Sequence, residues 1–318
     1  MTARAPRPII AEMKDPDKIA VVGCGLVGAS WAALFLAHGR DVVAADPAPG
    51  AEERLRAFAE RARPDLAALG LTGQGALTFV ASAQEAVACA DFVQESAVED
   101  EAFKRALLAS LDAAAPDHAI ISSSTSALSR SRIVADCVRP ERVIVGHPFN
   151  PPHLLPLVEV LGQDDEVVAR ACAFYRRMGR RPIVLRKEAP GHIANRLTAA
   201  LYREAVHLVA EGVADVADID AAISEGPGLR WAIMGPHLTY HLGGGAGGIR
   251  NYLDHLGPSQ ERRWASLGAP ALTEEVKAAI VAGVEAETTG APIATLEARR
   301  DRLLIDILRA KRKADGAG

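Results

Sequence analysis

The sequence predicts an α/β protein: a doubly wound parallel sheet domain, with a few extra strands at its end, followed by an all-helical C-terminal domain. Three observations carry this reading. Short apolar runs alternate with helix-length segments through the first half, the pattern expected where helices cover both faces of a parallel sheet. A glycine-rich loop directly follows the first of those runs. After Pro190 no clear strand is evident, and Ile193, Leu197, Leu201 and Leu208 recur on one helical face instead.

The first strand runs from Lys18 to Val22 and feeds the loop Gly23-Cys24-Gly25-Leu26-Val27-Gly28. A helix follows from Ala29 to His38, ended by Gly39, and a second strand from Asp41 leads to Asp46. In such a loop the first glycine permits a tight turn, the second lets the backbone approach a pyrophosphate, and the third lets the helix pack close to the strand. The helix N-terminus offers unpaired N–H groups to phosphate. Asp46 can accept hydrogen bonds from a ribose diol, and its charge repels a 2′-phosphate, which favours NAD over NADP. The whole context therefore reads as a Rossmann-type dinucleotide site made by residues 23–28 and Asp46. Cys24 needs only a small side chain there and reads as packing.

Further strands are expected at Leu77–Val80, Asp91–Glu95, Ala119–Ser123, Val143–Gly146, Leu157–Val160 and Pro182–Leu185, with helices such as Ala51–Ala62 and Glu101–Ala115 between them. In the second half, the first helix runs to about Glu211, and Asp215 is placed to cap the next, with Asp218 three residues on. Later helices are expected over Thr239–Leu242, Ile249–His255, Thr273–Ala286 and Ile293–Ala310. The run 243–248 holds five glycines and reads as a mobile loop or hinge, since glycine loses the most backbone entropy on ordering. The expected organisation is an N-terminal extension at 1–17, an NAD-binding domain at 18–188 and a helical substrate and dimerisation domain at 189–318.

Composition limits the partners. The 318 residues are 49% hydrophobic and 24% charged, with a net charge of −4, so neither nucleic acid nor a membrane surface is favoured. The basic group Arg309, Lys311, Arg312 and Lys313 reads as a solvated helix end. No apolar run reaches spanning length. Residues 1–17 carry prolines and charges without an apolar core, unlike a signal peptide. Cys24, Cys89, Cys137 and Cys172 form no ligand-spaced pair, which points to reduced thiols in the cytoplasm and no metal site.

His147 is the candidate for acid–base work, because it stands at the C-terminal end of a strand, where ligands of open α/β sheets gather. The segment His147-Pro148-Phe149-Asn150-Pro151-Pro152 is a stiff turn, its three prolines fixing φ. A chain reversal can then bring Glu159 beside His147, and a lone glutamate in an apolar strand needs such a partner. A carboxylate on one imidazole nitrogen fixes the tautomer and leaves the other to take a substrate proton. From sequence chemistry alone a second reading stands beside it: a structural His–Glu pair bracing the turn. Taken singly, Ser126 reads as a helix cap, Asn195 as a helix-start residue and Lys104 as a solvated lysine.

From about residue 18 to residue 255 the chain resembles the 3-hydroxyacyl-CoA dehydrogenase superfamily. The matching pieces, in order, are Gly23–Gly28, Asp46, Gln94-Glu95-Ser96-Ala97-Val98-Glu99, Lys104, Ser123-Ser124-Thr125-Ser126, Gly146-His147-Pro148-Phe149-Asn150-Pro151, Leu157-Val158-Glu159-Val160 and Pro190-Gly191-His192-Ile193-Ala194-Asn195-Arg196-Leu197. The resemblance implies an NAD-dependent dehydrogenase, with His147 as base, Glu159 as its orienting partner, Ser126 and Asn195 on the substrate oxygen, Glu99 and Lys104 on the cofactor, and Asn150 at its nicotinamide end. It also implies a homodimer formed through the helical domain.

The substrate reading rests on departures from the acyl-CoA pattern. CoA phosphates call for cationic contacts, yet no lysine occurs between Lys18 and Lys104, and the stretch after Asp46 is short. Arg54, Arg56, Arg61 and Arg63 are present there and temper that argument. Pro148 after the histidine resembles the branch that contains lambda-crystallin and L-gulonate 3-dehydrogenase, which acts on small free hydroxy acids. Within it, Gly228-Leu229-Arg230-Trp231, Leu238-Thr239-Tyr240 and the glycine-rich stretch ending Gly248-Ile249-Arg250 resemble the carnitine-oxidising members, implying oxidation of L-carnitine to 3-dehydrocarnitine. A quaternary ammonium favours aromatic faces, so Trp231 and Tyr240 are candidate contacts, and Arg230 suits the carboxylate. Core or interface packing is the competing reading for both aromatics. The alternatives are a 3-hydroxyacyl-CoA dehydrogenase, an L-gulonate 3-dehydrogenase, or an NAD-binding structural or sensory protein without significant turnover.

Overall fold

The computed structural model describes residues 18–314 and 316, so the expected N-terminal extension lies outside the described residues. The chain divides into two compact units, the first ending at Ile193 and the second beginning at Ala194.

The first unit is the expected α/β sheet domain. Its elements are β1 (Lys18–Val22), α1 (Leu26–Ala37), β2 (Asp41–Ala45), α2 (Ala51–Ala68), β3 (Leu77–Phe79), α3 (Ala83–Val87), β4 (Phe92–Glu95), α4 (Glu101–Ala114), β5 (Ile120–Ser123), α5 (Arg130–Ile133), β6 (Val143–Pro148), β7 (Leu157–Leu161), α6 (Asp165–Arg177) and β8 (Arg181–Val184). They form one sheet in the order β3-β2-β1-β4-β5-β6-β7-β8. The first six strands are parallel and have the doubly wound order, with the switch point between β1 and β4. β7 pairs antiparallel with β6, and β8 pairs parallel with β7, so the extra strands run against the rest.

The apolar runs read from the sequence supply both faces of this sheet. Side chains alternate along a strand, so Ile19 and Val21 join a core with Trp31, Phe35, Leu55, Phe92 and Phe174 on one face. Ala20 and Val22 join Val93, Leu108, Leu111 and Ile121 on the other. α1 is buried almost all round, from Gly28 to Phe35.

Two helices pass through a proline and run further than the sequence suggested. α2 continues past residue 62, through Pro64, to Ala68. In the second unit α11 (Gly248–Ala265) likewise passes through Pro258 instead of stopping at His255. Proline removes one hydrogen bond from a helix and disfavours the residue before it. In α2 the burial of Leu66, two residues beyond the proline, offsets that loss.

The second unit is all-helical: α7 (Ala194–Ala210), α8 (Val216–Ser224), α9 (Pro227–Trp231), α10 (Pro236–Gly243), α11, α12 (Glu274–Thr288) and α13 (Ile293–Ala314). Asp215 caps α8 by accepting the Asp218 N–H at 2.9 Å. The glycine run differs from the expected mobile loop. Gly245–Gly247 form a 3₁₀ turn between α10 and α11. It is tied down on both sides: Asn251 Nδ2 donates to the Gly244 carbonyl at 3.0 Å, and His241 Nδ1 accepts the Ile249 N–H at 3.1 Å. Those side-chain bonds lie outside the run itself, which is why composition did not reveal them.

Candidate active site

The glycine loop shows the geometry a dinucleotide requires. Gly23 adopts φ +86°, and a Cβ there would lie 2.6 Å from the Ala97 nitrogen. A Cβ on Gly28 would meet the Gly23 carbonyl oxygen at 1.8 Å, so only glycine lets α1 sit against the loop. Gly25 differs: nothing in the chain lies within 4 Å of its would-be Cβ. The first and third glycines are required by the fold, whereas the second faces open space, as a backbone that meets a pyrophosphate must. No side chain caps α1, and no acidic residue sits in its first turn, so its N–H groups remain for an anion. Gly25 and Leu26 are exposed and Val27 half-buried, while Cys24 is buried.

Asp46, at the end of β2, accepts the Cys24 N–H at 2.7 Å and the Ala48 N–H at 2.8 Å. A carboxylate has about four acceptor positions, so capacity for a ribose diol remains. Burial, and secondarily the Asp46 charge, push the Cys24 thiol up to about 12.

Glu95, the last residue of β4, and Lys104 in α4 form a buried ion pair at 2.7 Å, their side chains 0% and 1% exposed. Glu95 also accepts the Ala97 N–H at 2.7 Å and the Ser123 hydroxyl at 2.5 Å. Lys104 is therefore not a solvated helix lysine. Its ammonium donates to the Ala97 carbonyl and lies 3.6 Å from Glu99. Glu99 in turn accepts the Thr125 hydroxyl at 2.6 Å and the Ser126 and Ala127 N–H groups at 2.7 and 3.1 Å. Burial would raise the Glu99 carboxyl, but these hydrogen bonds and the Lys104 charge outweigh it and hold the group below the usual carboxylate range. The Ser126 hydroxyl is 3.3 Å from the same oxygen, which fixes the loop that carries it.

His147 and Glu159 are cross-strand neighbours in the β6–β7 ladder. His147 Nδ1 lies 2.8 Å from Glu159 Oε2, in a pair whose side chains are 7% and 0% exposed. Glu159 Oε1 accepts the Ile193 N–H at 2.8 Å. Nδ1 therefore donates to the carboxylate, and Nε2 is the nitrogen left for a substrate. Asn150 lies exposed just past β6. The structure thus brings together His147 and Glu159, and separately Glu99, Lys104 and Ser126.

The remaining candidates belong to the second unit. Asn195 is half-buried in the first turn of α7. Arg230 and Trp231 are exposed in and at the end of α9. Tyr240 stacks on Tyr252, with centroids 4.6 Å apart. Three residues escaped the sequence reading as individuals. Glu95 was visible only as part of a motif, although a carboxylate ending an apolar strand nine residues before a lysine is itself a signal. Tyr252 lies twelve residues from its ring partner. His192 is buried against His147, their ring centroids 5.0 Å apart. Among the described residues no group of three His, Cys, Asp or Glu side chains could hold a metal ion, and no helix is long and apolar enough to cross a membrane.

Residues 18–189 match the model of the 3-hydroxyacyl-CoA dehydrogenase NAD binding domain, and residues 191–279 match that of the 3-hydroxyacyl-CoA dehydrogenase C-terminal domain. The chain belongs to the 3-hydroxyacyl-CoA dehydrogenase family. It is an NAD-dependent dehydrogenase acting on a CH–OH group. Among its relatives is an L-carnitine dehydrogenase of Streptomyces griseus, 51% identical over 303 residues that cover 93% of this chain and 90% of the relative. An L-carnitine dehydrogenase of Pseudomonas aeruginosa is 48% identical over 300 residues, covering 92% and 94%. Among solved structures, 5-formyl-3-hydroxy-2-methylpyridine 4-carboxylic acid 5-dehydrogenase, an NAD-dependent dismutase, aligns with a TM-score of 0.80 at 30% identity, over 93% of this chain and 98% of that one.

Proposed function

We propose that this family member oxidises the secondary alcohol of L-carnitine to 3-dehydrocarnitine, with His147 as general base. The observation that carries the mechanism is the 2.8 Å His147–Glu159 bond between cross-strand partners. With Nδ1 committed to Glu159, Nε2 takes the hydroxyl proton, and the O–H electrons close the carbonyl as the carbinol C–H bond breaks. NAD, when bound, supplies the acceptor for the departing hydride. Residues 23–28 and Asp46 hold the cofactor, Glu99 and Lys104 contact it, and Asn150 lines its nicotinamide end. Glu159 stabilises the imidazolium that forms. Ser126 and Asn195 bind the substrate oxygen. Arg230 takes the carboxylate, and Trp231 and Tyr240 supply faces for the quaternary ammonium. The substrate reading draws on the relatives named as L-carnitine dehydrogenases.

The proposed organisation is an extension at 1–17, an NAD-binding domain at 18–188 and a helical domain at 189–318, in a cytoplasmic homodimer. Support for the dimer comes from the second unit, where Leu197, Leu229, Ile233, Leu242 and Trp264 are each at least 60% exposed. Apolar side chains in that number call for a covering surface. Light scattering at monomer mass would oppose it.

The deciding experiment follows NADH formation with L-carnitine beside D-carnitine, L-gulonate, 3-hydroxybutyrate and a 3-hydroxyacyl-CoA. Saturable turnover confined to L-carnitine is expected. Turnover confined to another member of the panel would discard the substrate while leaving the His147–Glu159 chemistry intact.

A further inference from the structure

The segment Gly191-His192-Ile193 joins the two halves of the candidate site. Gly191 and His192 both adopt left-handed backbone, at φ 73° and 52°. That region is uncommon for a side chain other than glycine. The conformation carries the His192 ring against His147, at 5.0 Å between centroids and a 39° tilt. His192 Nε2 lies 3.1 Å from the Thr125 carbonyl oxygen. The next residue donates its N–H to Glu159. One short turn thus touches the base, its carboxylate and the loop that carries Ser126.

The hydrogen bond fixes the chemistry of His192. A carbonyl can only accept, so Nε2 carries the proton, and in the neutral ring Nδ1 is then a bare acceptor. Nδ1 is buried and has no hydrogen-bond partner. A second proton there would create a buried N–H with no acceptor, next to His147. The two neighbouring imidazoles are therefore unequal. His147 has a carboxylate to stabilise its cation, whereas His192 has a neutral carbonyl.

We propose that His192 is a positioning residue for the dehydrogenase reaction: a permanently neutral imidazole that fixes the Thr125–Ser126 loop relative to His147 and leaves His147 as the sole proton acceptor. This rests on the reading of His147 as base. The charged groups that face His192 are Glu159 on β7 and Glu99 after β4, together with His147 on β6. Burial, joined by the His147 charge, outweighs the Thr125 hydrogen bond and both carboxylates and lowers the His192 basicity.

Two substitutions separate the ring from the donor. H192F keeps a ring beside His147 and loses the bond to Thr125. H192Q places a donor near the Nε2 position and loses the ring. For H192F the expected result is a fall in kcat of about tenfold or more, with KM for NAD within about twofold, and H192Q recovers most of the loss. The acid limb of kcat/KM stays in place in H192F. It moves to higher pH in H192Q, because water replacing the ring solvates the His147 cation. Wild-type kcat and an unmoved limb in both variants would reduce His192 to packing and overturn the proposal. Nitrogen-15 NMR of histidine-labelled protein gives a readout that needs no turnover, with His192 assigned by its absence in either variant. The proton is expected on Nε2 alone from pH 8 to about pH 6. A doubly protonated His192, or a proton on Nδ1, would overturn the proposal. Failure of the base reading is distinguishable: His147→Ala would then retain turnover, while the His192 tautomer stayed as described.

Discussion

Glu159→Gln tests the dyad with almost no change in shape. Glu159 uses its two oxygens on two donors, His147 Nδ1 and the Ile193 N–H, both at 2.8 Å. Glutamine has one oxygen and one NH₂. If its oxygen serves Ile193, the NH₂ faces Nδ1, the imidazole switches tautomer, and Nε2 becomes a donor unable to accept a proton. If its oxygen serves His147, two N–H groups collide at Ile193. Either arrangement impairs the base. The lost charge adds to this. At 2.8 Å and an effective dielectric of about 20, imidazolium and carboxylate attract by about 6 kcal/mol. At about 1.4 kcal/mol per tenfold change in rate, that sets a ceiling near four decades. We expect kcat to fall by about 10³–10⁴, comparable with the loss when a triad aspartate is amidated. The assay is NADH formation at saturating L-carnitine and NAD, with NAD affinity measured separately by calorimetry and expected to hold. A variant retaining more than a tenth of wild-type kcat would refute the argument.

Three further outcomes follow from the nucleotide loop. Gly28→Ala should destabilise the fold and lower Tm by several degrees, since its Cβ would lie 1.8 Å from a backbone oxygen, whereas Gly25→Ala should keep wild-type Tm and lose NAD affinity; equal Tm for both variants would contradict the division of roles. Asp46→Arg should weaken NAD binding and raise activity with NADP, and an unchanged cofactor preference in steady-state kinetics would remove Asp46 from the ribose site. Cys24, its thiol pushed up to about 12, should resist iodoacetamide at pH 8 while exposed Cys89 is alkylated, and rapid modification of Cys24 in a mass-spectrometric time course would contradict its burial.

The parts legible in the sequence were those set by short-range pattern. Continuous apolar runs such as Ile19–Val22 located the strands because both sheet faces are covered, and the glycine spacing located the nucleotide loop. α2 runs past Pro64 to bury Leu66, a tertiary contact that no local window contains. In the site, Lys104 reads alone as a surface residue because its partner Glu95 lies on a different element. His192 escaped for the same reason: its significance lies in a ring on β6 and a carbonyl after β5, forty-five and sixty-seven positions away.

The antiparallel register of β6 and β7 also bears on how this enzyme can change. His147 and Glu159 are paired by the backbone ladder, with Val145 opposite Leu161 and Pro148 opposite Val158 on either side. A one-residue slip in either strand would turn Glu159 to the opposite face of the sheet. The turn between the strands is held in its own right: the His153 N–H donates to the Ser30 hydroxyl, and the Arg180 guanidinium donates to the Pro152 carbonyl, both at 2.9 Å. Natural or laboratory variation therefore meets two constraints here, the strand register that pairs the proton-transfer residues and the buried contacts of residues 151–154. The catalytic pair is inherited with the sheet and with the buried turn that closes it.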